Sequence, residues 1–344
     1  MKRLAILVAV IMSLGTVIGS LRAVHRPAQD VVVVSASIPL ENLLPADPVL
    51  YMNWDGFQLH DVAWKQTVAH EALVESGFSP ALMKSITALS KMAGPQGEMI
   101  VNRILTQGLQ RGFSTCVKFH ETDGPFPTAY VGLREGADLF NLISGLVSNA
   151  FGGEVQQGDG YSWVDIPDTP GLQLGWWMQD GHFMLTAGPE VGAKISAVTA
   201  DGFAHIKQST HWNLMSNSDE FAVCSSIWFD FQQVRELFSG VPLPIPSPTG
   251  EPLTAGEILN RLGLGNLEYV TFKSGFQGEA LWSEFEVRAP GELQGLLAGL
   301  KGEPMTLADV PPIPAKTGYF YLGQSDWLAA FQALQGIYDS AVEV

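Results

Sequence analysis

The alternation of apolar and polar positions predicts a first structural block over residues 44–151. The run PVLYMNW has strand character and ends at Asp55-Gly56, and apolar residues then recur at helical spacing from Gln58 to Ser76, which predicts one helix. Ser79-Pro80 is a start signal for a second helix, and a third is expected over residues 98–110. The strands FSTCVKFH and TAYVGLR and the helix DLFNLISGLVSNAF complete the order β-α-α-α-β-β-α.

A second block, residues 202–311, is predicted to have a similar order of strands and helices. The strand EFAVCSSIWF ends at Asp230 before the helix FQQVRELF, and the proline-rich VPLPIPSPTGEP is a loop because proline cannot continue either element. Thr254 and Glu257 form a T-x-x-E capping box for a short helix. The strands LEYVTFKSGF and ALWSEFEVR and the helix ELQGLLAGL close the block as β-α-α-β-β-α.

The two blocks also match residue by residue at their ends. Arg134–Leu146 and Arg288–Leu300 align without gaps and share one Arg, three Leu and one Gly. The shared spacing predicts an equivalent buried stripe in two helices. Its members are expected to be Leu139, Leu142 and Leu146 in the first block and Leu293, Leu296 and Leu300 in the second.

Repetition of this order predicts the fold class. The segment 152–201 between the blocks has about three strands and a helix, and Ile313–Phe331 loosely repeats Leu44–Trp64. Residues 312–344 are therefore expected to start a third, incomplete block, either as a closing strand and helix packed on the rest or as the front of a longer protein. We predict an α+β protein of repeated β-α(α)-β-β-α units that form antiparallel sheets covered by helices.

The N-terminus predicts export. Lys2 and Arg3 precede the apolar run Leu4–Gly19, and the chain then turns polar, as in a secretory signal peptide. We expect a signal over residues 1–23 and a linker over 24–43, with a periplasmic or extracellular body. The alternative is an uncleaved signal anchor, which would be the protein's membrane contact, although the run is short for a span.

Composition and net charge limit the classes of partner that the protein can bind. Of 344 residues 46% are hydrophobic, enough for a large core, and 19 Lys and Arg stand against 35 Asp and Glu for a net charge of −16. Such a surface repels phosphate backbones, so nucleic acid is not an expected partner. An unknown envelope protein or polymer is the expected partner, and no cofactor is expected.

Catalytic and metal motifs are not found. His70-Glu71 begins a zincin-like pattern, but position 74 is valine, so the second ligand is missing. His205 and His211 near Asp201 are a weak metal hint that solvated loop histidines explain better, and we predict no metal site. The carboxylates Asp55, Asp230 and Glu284 remain candidates for glycosidase chemistry, but Asp55 and Asp230 each follow a strand, where helix capping is the simpler interpretation.

Two other sets of residues are candidates for binding or cross-linking. Trp176 and Trp177 in GWWMQDGHF alternate across a strand, so one indole could face solvent and, with His182, bind a sugar or apolar partner. Core packing is the alternative for these tryptophans. Cys116 and Cys224 lie in strand-like runs and could form one disulfide in an oxidising compartment, or stay as two buried thiols.

Several of these segments resemble a known family. LPADPVLYMNWDG, FKSGFQGEALWSEFEVRAPGELQGLLAGL and PPIPAKTGYFYLG are similar to exported bacterial proteins that share a domain of unknown function. The resemblance covers most of the chain after the signal, its motifs are structural, and it implies no catalytic residue. Members run longer, which would make this chain a fragment.

Two function classes follow. The sequence favours a non-enzymatic cell-envelope protein that acts as a scaffold or binding surface, because the repeated structure carries no polar clusters. The alternative is an exported hydrolase acting on an envelope polymer such as a glycan. Convergence of Asp55, Asp230 and His60 in the folded chain would favour the enzyme.

Overall fold

The computed structural model describes most of the chain between residues 38 and 300. The described ranges are 38–76, 103–104, 106–120, 126–150, 155–166, 169–243 and 253–300, with single positions at 84, 88, 91 and between 328 and 335. The predicted signal peptide lies outside them, as do nearly all of the helix expected after Ser79-Pro80 and of the third block. By its internal contacts the chain forms two compact units, one comprising the residues up to Trp228 with Thr271–Glu284, the other Phe229–Val270 with the residues from Phe285 onward.

One antiparallel sheet organises the described residues. Its ten strands are β1 Leu50–Trp54, β2 Phe113–Phe119, β3 Pro127–Leu133, β4 Gln156–Gln157, β5 Tyr161–Asp165, β6 Gln173–Gln179, β7 His182–Gly188, β8 Ala222–Asp230, β9 Tyr269–Gln277 and β10 Ala280–Arg288. They lie in the order β10-β9-β8-β1-β2-β3-β7-β6-β5-β4. The α+β class is therefore confirmed, whereas the expected separate sheets are here a single one.

Helices connect the strands. The α-helices are α1 Phe57–Lys65, α2 Val68–Glu75, α3 Ala137–Ala150, α4 Val191–Thr199, α5 Trp212–Ser216, α6 Phe231–Phe238 and α7 Ala255–Arg261. Helical turns also occur at residues 103–104 and 106–111, inside the predicted third helix. The predicted T-x-x-E box is confirmed, because the Thr254 hydroxyl accepts from the Glu257 N–H and the Glu257 carboxylate accepts from the Thr254 N–H.

The single helix expected over residues 58–76 is wrong, because the chain breaks between α1 and α2. Thr67 causes the break: its hydroxyl donates to the Trp64 carbonyl at 2.8 Å and accepts from the His70 N–H at 3.1 Å. A side chain that accepts from the third N–H of the next helix acts as its N-cap. The apolar periodicity also misled on burial, since Val62 and Val68 are mostly exposed.

Loss of this cap should weaken the fold. Thr67→Ala removes the acceptor for the His70 N–H, and we expect the free energy of unfolding to fall by about 1 kcal/mol, the usual cost of losing a helix N-cap. Urea titration followed by circular dichroism measures it. Thr210→Ala, at an exposed position, is the matched control, and an equal effect in both variants would contradict the capping role.

The structure does not confirm the predicted repeat. The order β10-β9-β8-β1-β2-β3 places the two strand triplets back to back, but α3 has 14 residues whereas the matching segment is a six-residue 3-10 helix, Gly295–Leu300. Gly295, inside the predicted helix ELQGLLAGL, has a positive φ, which an α-helix does not accommodate. The repeat therefore stays a prediction.

Burial of the aligned leucines differs between the two segments. Leu139 is buried whereas its counterpart Leu293 is half-buried, but Leu142 and Leu296 are both half-buried, and Ile143 and Leu297 are both buried. The expected equivalence therefore fails at Leu139 and Leu293, and the expected full burial fails at Leu142 and Leu296, while the side chains of Leu146 and Leu300 lie outside the description.

The main core lies in the first unit. Residues from β1, α1, α3, β6 and β7 form it, including Trp54, Trp64, Leu139, Trp176 and Phe183. Burying such large side chains supplies most of the stabilisation of a fold of this kind.

Residues 38–49, the N-terminal strap, pack on the first unit before β1 begins. Part of the segment that the sequence assigned to a linker is folded here, as the 3-10 helix Leu40–Leu43 with both of its leucines buried. Leu40 packs at Gly132, where any Cβ would overlap it. The Leu44 carbonyl accepts from the Ile206 N–H at 2.9 Å. The strap is thus an integral part of the unit.

Candidate functional site

Six polar side chains converge at the end of β1 in the first unit. This polar cluster consists of Glu41 in the strap, Asn53 on β1, Asp55 after β1, His60 on α1, Ser114 on β2 and Arg134 after β3. The strap, the strands β1 and β2, the residues that follow β1 and β3, and the helix α1 therefore all contribute polar side chains to this cluster.

Arg134 lies at the centre of the cluster. Its Nη2 donates to Glu41 Oε1 at 2.7 Å and lies 3.2 Å from Asp55 Oδ1, while its Nη1 donates to the Trp54 carbonyl at 3.0 Å. The guanidinium passes against Gly112, where φ is +95° and a side chain would clash with it. Arg134 therefore contacts the strap through Glu41, the last residue of β1 through the Trp54 carbonyl, and the following residue through the Asp55 carboxylate.

The remaining contacts complete the cluster. Asn53 donates to Asp55 Oδ1 at 3.0 Å and accepts from the Ser114 hydroxyl at 2.7 Å. His60 Nε2 lies 3.3 Å from Asp55 Oδ2, and the ring packs on Phe276 with the ring centroids 5.6 Å apart. Both oxygens of Asp55 are thus engaged by neighbours.

The carboxyl of Asp55 is stabilised in its charged form. Burial by itself would raise its pKa, but the hydrogen bond with His60, the charge of Arg134 and the Asn53 amide outweigh burial and hold the pKa below its usual value. A carboxyl whose pKa is lowered by folding stabilises the fold above its unfolded pKa, near 3.9, and that contribution is lost as the pH falls through the folded value.

Acid should therefore weaken the fold through Asp55. We expect the free energy of unfolding to fall more steeply between about pH 5 and pH 3 in the wild type than in Asp55→Asn, which has no carboxyl to protonate. Denaturant titrations at a series of pH values measure the two slopes. Parallel slopes would contradict the assignment of this acid sensitivity to Asp55.

The three candidate carboxylates, Asp55, Asp230 and Glu284, have different local partners. Asp55 and His60 meet, which is one part of the convergence of Asp55, Asp230 and His60 that would favour a hydrolase. Asp55 does not cap α1, whose N-cap is Gly56 without a side-chain bond. Asp230 does cap α6, accepting from the Gln233 N–H at 2.8 Å, as its capping interpretation predicts. Glu284 pairs with the buried Lys273 at 3.0 Å.

The tryptophan prediction is wrong about exposure. Trp176 and Trp177 are each 1% exposed, with their indole N–H groups donating to Ser144 and Gln179. His182 is also buried and donates from Nε2 to the Ile38 carbonyl at 2.9 Å, and burial lowers the pKa of its ring. Both faces of the sheet are covered at β6, so these residues offer no ring to a ligand from solvent.

The cysteines are not joined. Cys116 on β2 pairs across the ladder with Tyr51 on β1, and Cys224 lies on β8, on the other side of β1. Two strand spacings are about 9.5 Å, beyond the roughly 7 Å that a disulfide spans. The buried-thiol alternative is the one found, and burial raises the pKa of the Cys116 thiol far above its usual range.

Metal ligands do not gather in the part of the chain that is described. Groups of three or more His, Cys, Asp or Glu side chains with metal-binding geometry are not present there. His205 precedes the 3-10 helix Ile206–Gln208, and His211 stacks on Trp228 with centroids 5.1 Å apart. His205 therefore lies at the start of a helical turn and His211 packs against an aromatic ring.

One void beside Asn53 is small. Met52, Asn53, Trp54, Phe113 and a segment of β8 line a void of about 10 Å³, which is room for one water molecule. That void is too small to admit a substrate, and neither Asp55 nor His60 lines it.

Sequence reasoning missed four of the six members of the polar cluster, Glu41, Asn53, Ser114 and Arg134. Arg134 carries a local signal, since it is a charged residue directly after the apolar strand YVGL. Its aligned partner Arg288 is more exposed and lies 3.7 Å from Glu268, so alignment within the chain did not identify the role.

Comparisons with known proteins leave the family open. No family model matches the chain, and no curated protein matches it. Solved structures of TP0453 share a remote likeness: crystal form III has a TM-score of 0.39 and 7% identity over 76% of this chain and 84% of that one. Forms IV and I have TM-scores of 0.37 and 0.35, at 7% and 8% identity. They cover 73% and 75% of this chain and 81% of theirs. Likeness at this level carries no function across.

None of the helices among the described residues combines the length and the apolar character that crossing a bilayer requires.

Proposed function

We propose that this chain is an exported cell-envelope protein that works as a scaffold or binding protein and not as an enzyme. Export rests on the N-terminal pattern of Lys2 and Arg3 before an apolar run and a polar stretch. The resemblance to exported bacterial proteins with a domain of unknown function agrees with it and stays a prediction.

The non-enzymatic part rests on one observation, the way the polar cluster uses its groups. Arg134 directs its donors at a backbone carbonyl and at the carboxylates of Glu41 and Asp55, and Asn53 and Ser114 bond each other. These contacts join the strap to the strand ends. A catalytic constellation instead leaves a nucleophile or base directed at a space where substrate can sit.

Cell fractionation tests export directly. The protein should appear outside the cytoplasmic membrane, and mass spectrometry of its N-terminus should find the chain beginning near residue 24. Intact protein that begins at Met1 and stays in the cytosol would contradict the proposal. A full-length chain held at the membrane would instead support the signal-anchor alternative.

The hydrolase alternative has one observation in its favour, the contact between Asp55 and His60. A carboxylate that orients a histidine is a recurring part of hydrolytic sites. Release of soluble fragments from cell-wall glycan by the wild type, lost in His60→Gln, would support it. Binding to the same polymer without hydrolysis would support the non-enzymatic proposal.

A further inference from the structure

One histidine holds the front of the strap, residues 38–43, on the sheet of the first unit. His182 is the first residue of β7, and its Nε2 donates to the carbonyl of Ile38 at 2.9 Å. Nearby, Leu40 packs against Gly132 on β3, where an added Cβ would overlap it. The front of the strap therefore rests on β3 and β7, and His182 supplies the hydrogen bond at its first residue.

The other ring nitrogen of His182 is buried without a partner. Because Nε2 donates to a carbonyl, Nδ1 of the neutral ring carries no proton and can only accept. No described residue donates to this buried atom. A proton added to the ring would go to Nδ1 and create a buried N–H without an acceptor, which is costly. The attached strap therefore favours the uncharged ring.

Burial and neighbouring charges together set the pKa of the His182 ring. Burial is the largest influence and lowers the pKa, whereas the hydrogen bond to the strap carbonyl raises it. Arg134 after β3 lowers it further, while Glu41 in the strap and Asp180 in the turn before β7 raise it. Gln179, which pairs with His182 across the ladder, is neutral. The net result is a pKa below the usual value for histidine.

Detachment of the front of the strap would remove the cost of charging this ring. Without Ile38 in place, water would reach the imidazole, and a solvated histidine has a pKa near 6.5. The detached form therefore binds a proton more readily than the attached form, so falling pH favours detachment. At neutral pH the ring is uncharged in both forms, and protonation gives detachment no advantage.

We propose that His182 makes the attachment of the strap pH-dependent: residues 38–43 lie on β3 and β7 at neutral pH and detach when the ring takes up a proton at Nδ1. Detachment also withdraws Glu41 from Arg134, whose guanidinium it contacts at 2.7 Å. The inference goes beyond the proposed binding function, because it concerns how the polar cluster is opened and closed.

The rear of the strap, residues 44–49, stays attached in this proposal. Its contacts do not involve His182, since the Ile206 N–H donates to the Leu44 carbonyl at 2.9 Å and Lys118 Nζ donates to the Ala46 carbonyl at 2.7 Å. Detachment is therefore local and leaves the sheet folded.

Hydrogen exchange followed by mass spectrometry tests the proposal on the purified full chain. After correction for the intrinsic effect of pH on exchange, the opening constant of the amides of residues 40–43 should rise at least about threefold from pH 7 to pH 5. Uptake of one proton limits the rise to about tenfold per pH unit. The amides of β3 should keep their protection. Carboxylates ordinarily titrate below this range, so the window belongs to histidine.

A matched pair of variants identifies the group that takes up the proton. His182→Gln keeps an N–H for the Ile38 carbonyl but does not titrate, so exchange of residues 40–43 should lose its pH dependence and stay near the wild-type value at pH 7. His70→Gln removes a histidine on α2 that packs on Trp64. It is the control and should keep the wild-type pH dependence. Circular dichroism confirms that both variants are folded.

NMR titration of the His182 ring in the wild type gives a readout that needs no folded variant. The ring should titrate below pH 6.5, and the resonances of residues 40–43 should change over the same range.

Three outcomes would overturn the proposal. Acid-dependent exchange that persists in His182→Gln would assign the effect to another group. Equal opening of residues 40–43 and of β3 would mean that the whole unit unfolds. A His182 ring that titrates at or above pH 6.5 would mean that the attached strap does not oppose its protonation.

Discussion

Replacing Arg134 with Met is expected to lower the free energy of unfolding by about 3 kcal/mol, because it leaves charged partners without their counter-charge in a largely buried setting. The Arg134 side chain is 20% exposed and Glu41 12% exposed, so solvent compensates poorly for the loss. The Trp54 carbonyl also loses a donor. Chemical denaturation followed by tryptophan fluorescence measures the change.

Arg103→Met is the matched control for this prediction. Arg103 pairs with Asp138 at 3.2 Å, but the two side chains are 50% and 85% exposed. Exposed pairs of this kind contribute about 0–1 kcal/mol, so Arg103→Met should leave stability nearly unchanged. Similar losses in both variants would mean that position in the cluster is irrelevant.

Replacing Trp176 with Ala is expected to cost about 3–5 kcal/mol, the range for deleting a buried large aromatic. Trp176 is 1% exposed and lies in the main core, and its indole donates to Ser144 Oγ on α3 at 2.8 Å. The variant leaves a large cavity and removes the donor to Ser144.

Trp282→Ala removes the same side chain from an exposed strand and is the control. Its cost should stay below about 1 kcal/mol, as for most surface substitutions. Thermal and urea unfolding of both variants measure the difference. A Trp176→Ala variant as stable as Trp282→Ala would contradict the burial of this indole and reopen its candidacy as a binding residue.

Local signals in the sequence predicted many of the elements. The capping box at Thr254 and Glu257 and the cap at Asp230 depend on neighbouring residues, and both were predicted correctly. Strands such as β2 and β9 follow from short apolar runs with turn residues between them. These features need no knowledge of distant contacts.

Features in which a side-chain cap, a glycine conformation or tertiary packing overrides the local apolar pattern were not predicted. Apolar periodicity continued across Thr67, but a side-chain cap divided the helix there. Gly295 adopts a positive φ inside the segment ELQGLLAGL, where the leucine spacing suggested an α-helix. Strand alternation predicts that Trp176 and Trp177 lie on opposite faces of the sheet. It does not predict whether one face or both faces are covered by other elements.

The polar cluster itself could not be read from the sequence. Glu41 and Arg134 are 93 positions apart, and Asn53 and Arg134 are 81 apart. Their meeting depends on the order β1-β2-β3 and on the path of the strap across it, and neither is encoded in local pattern. Of the site, the sequence supplied Asp55 and His60 as candidates and left their partners unidentified.

A double-mutant cycle between Glu41 and Arg134 tests most directly whether the polar cluster holds the fold. Unfolding free energies of Glu41→Gln, Arg134→Met and the double variant give the coupling energy between the two side chains. We predict a coupling of at least about 1 kcal/mol, because each charge stabilises the other across a 2.7 Å contact that joins strap to sheet. Additive effects, with a coupling within about 0.3 kcal/mol of zero, would contradict the structural role assigned to the cluster.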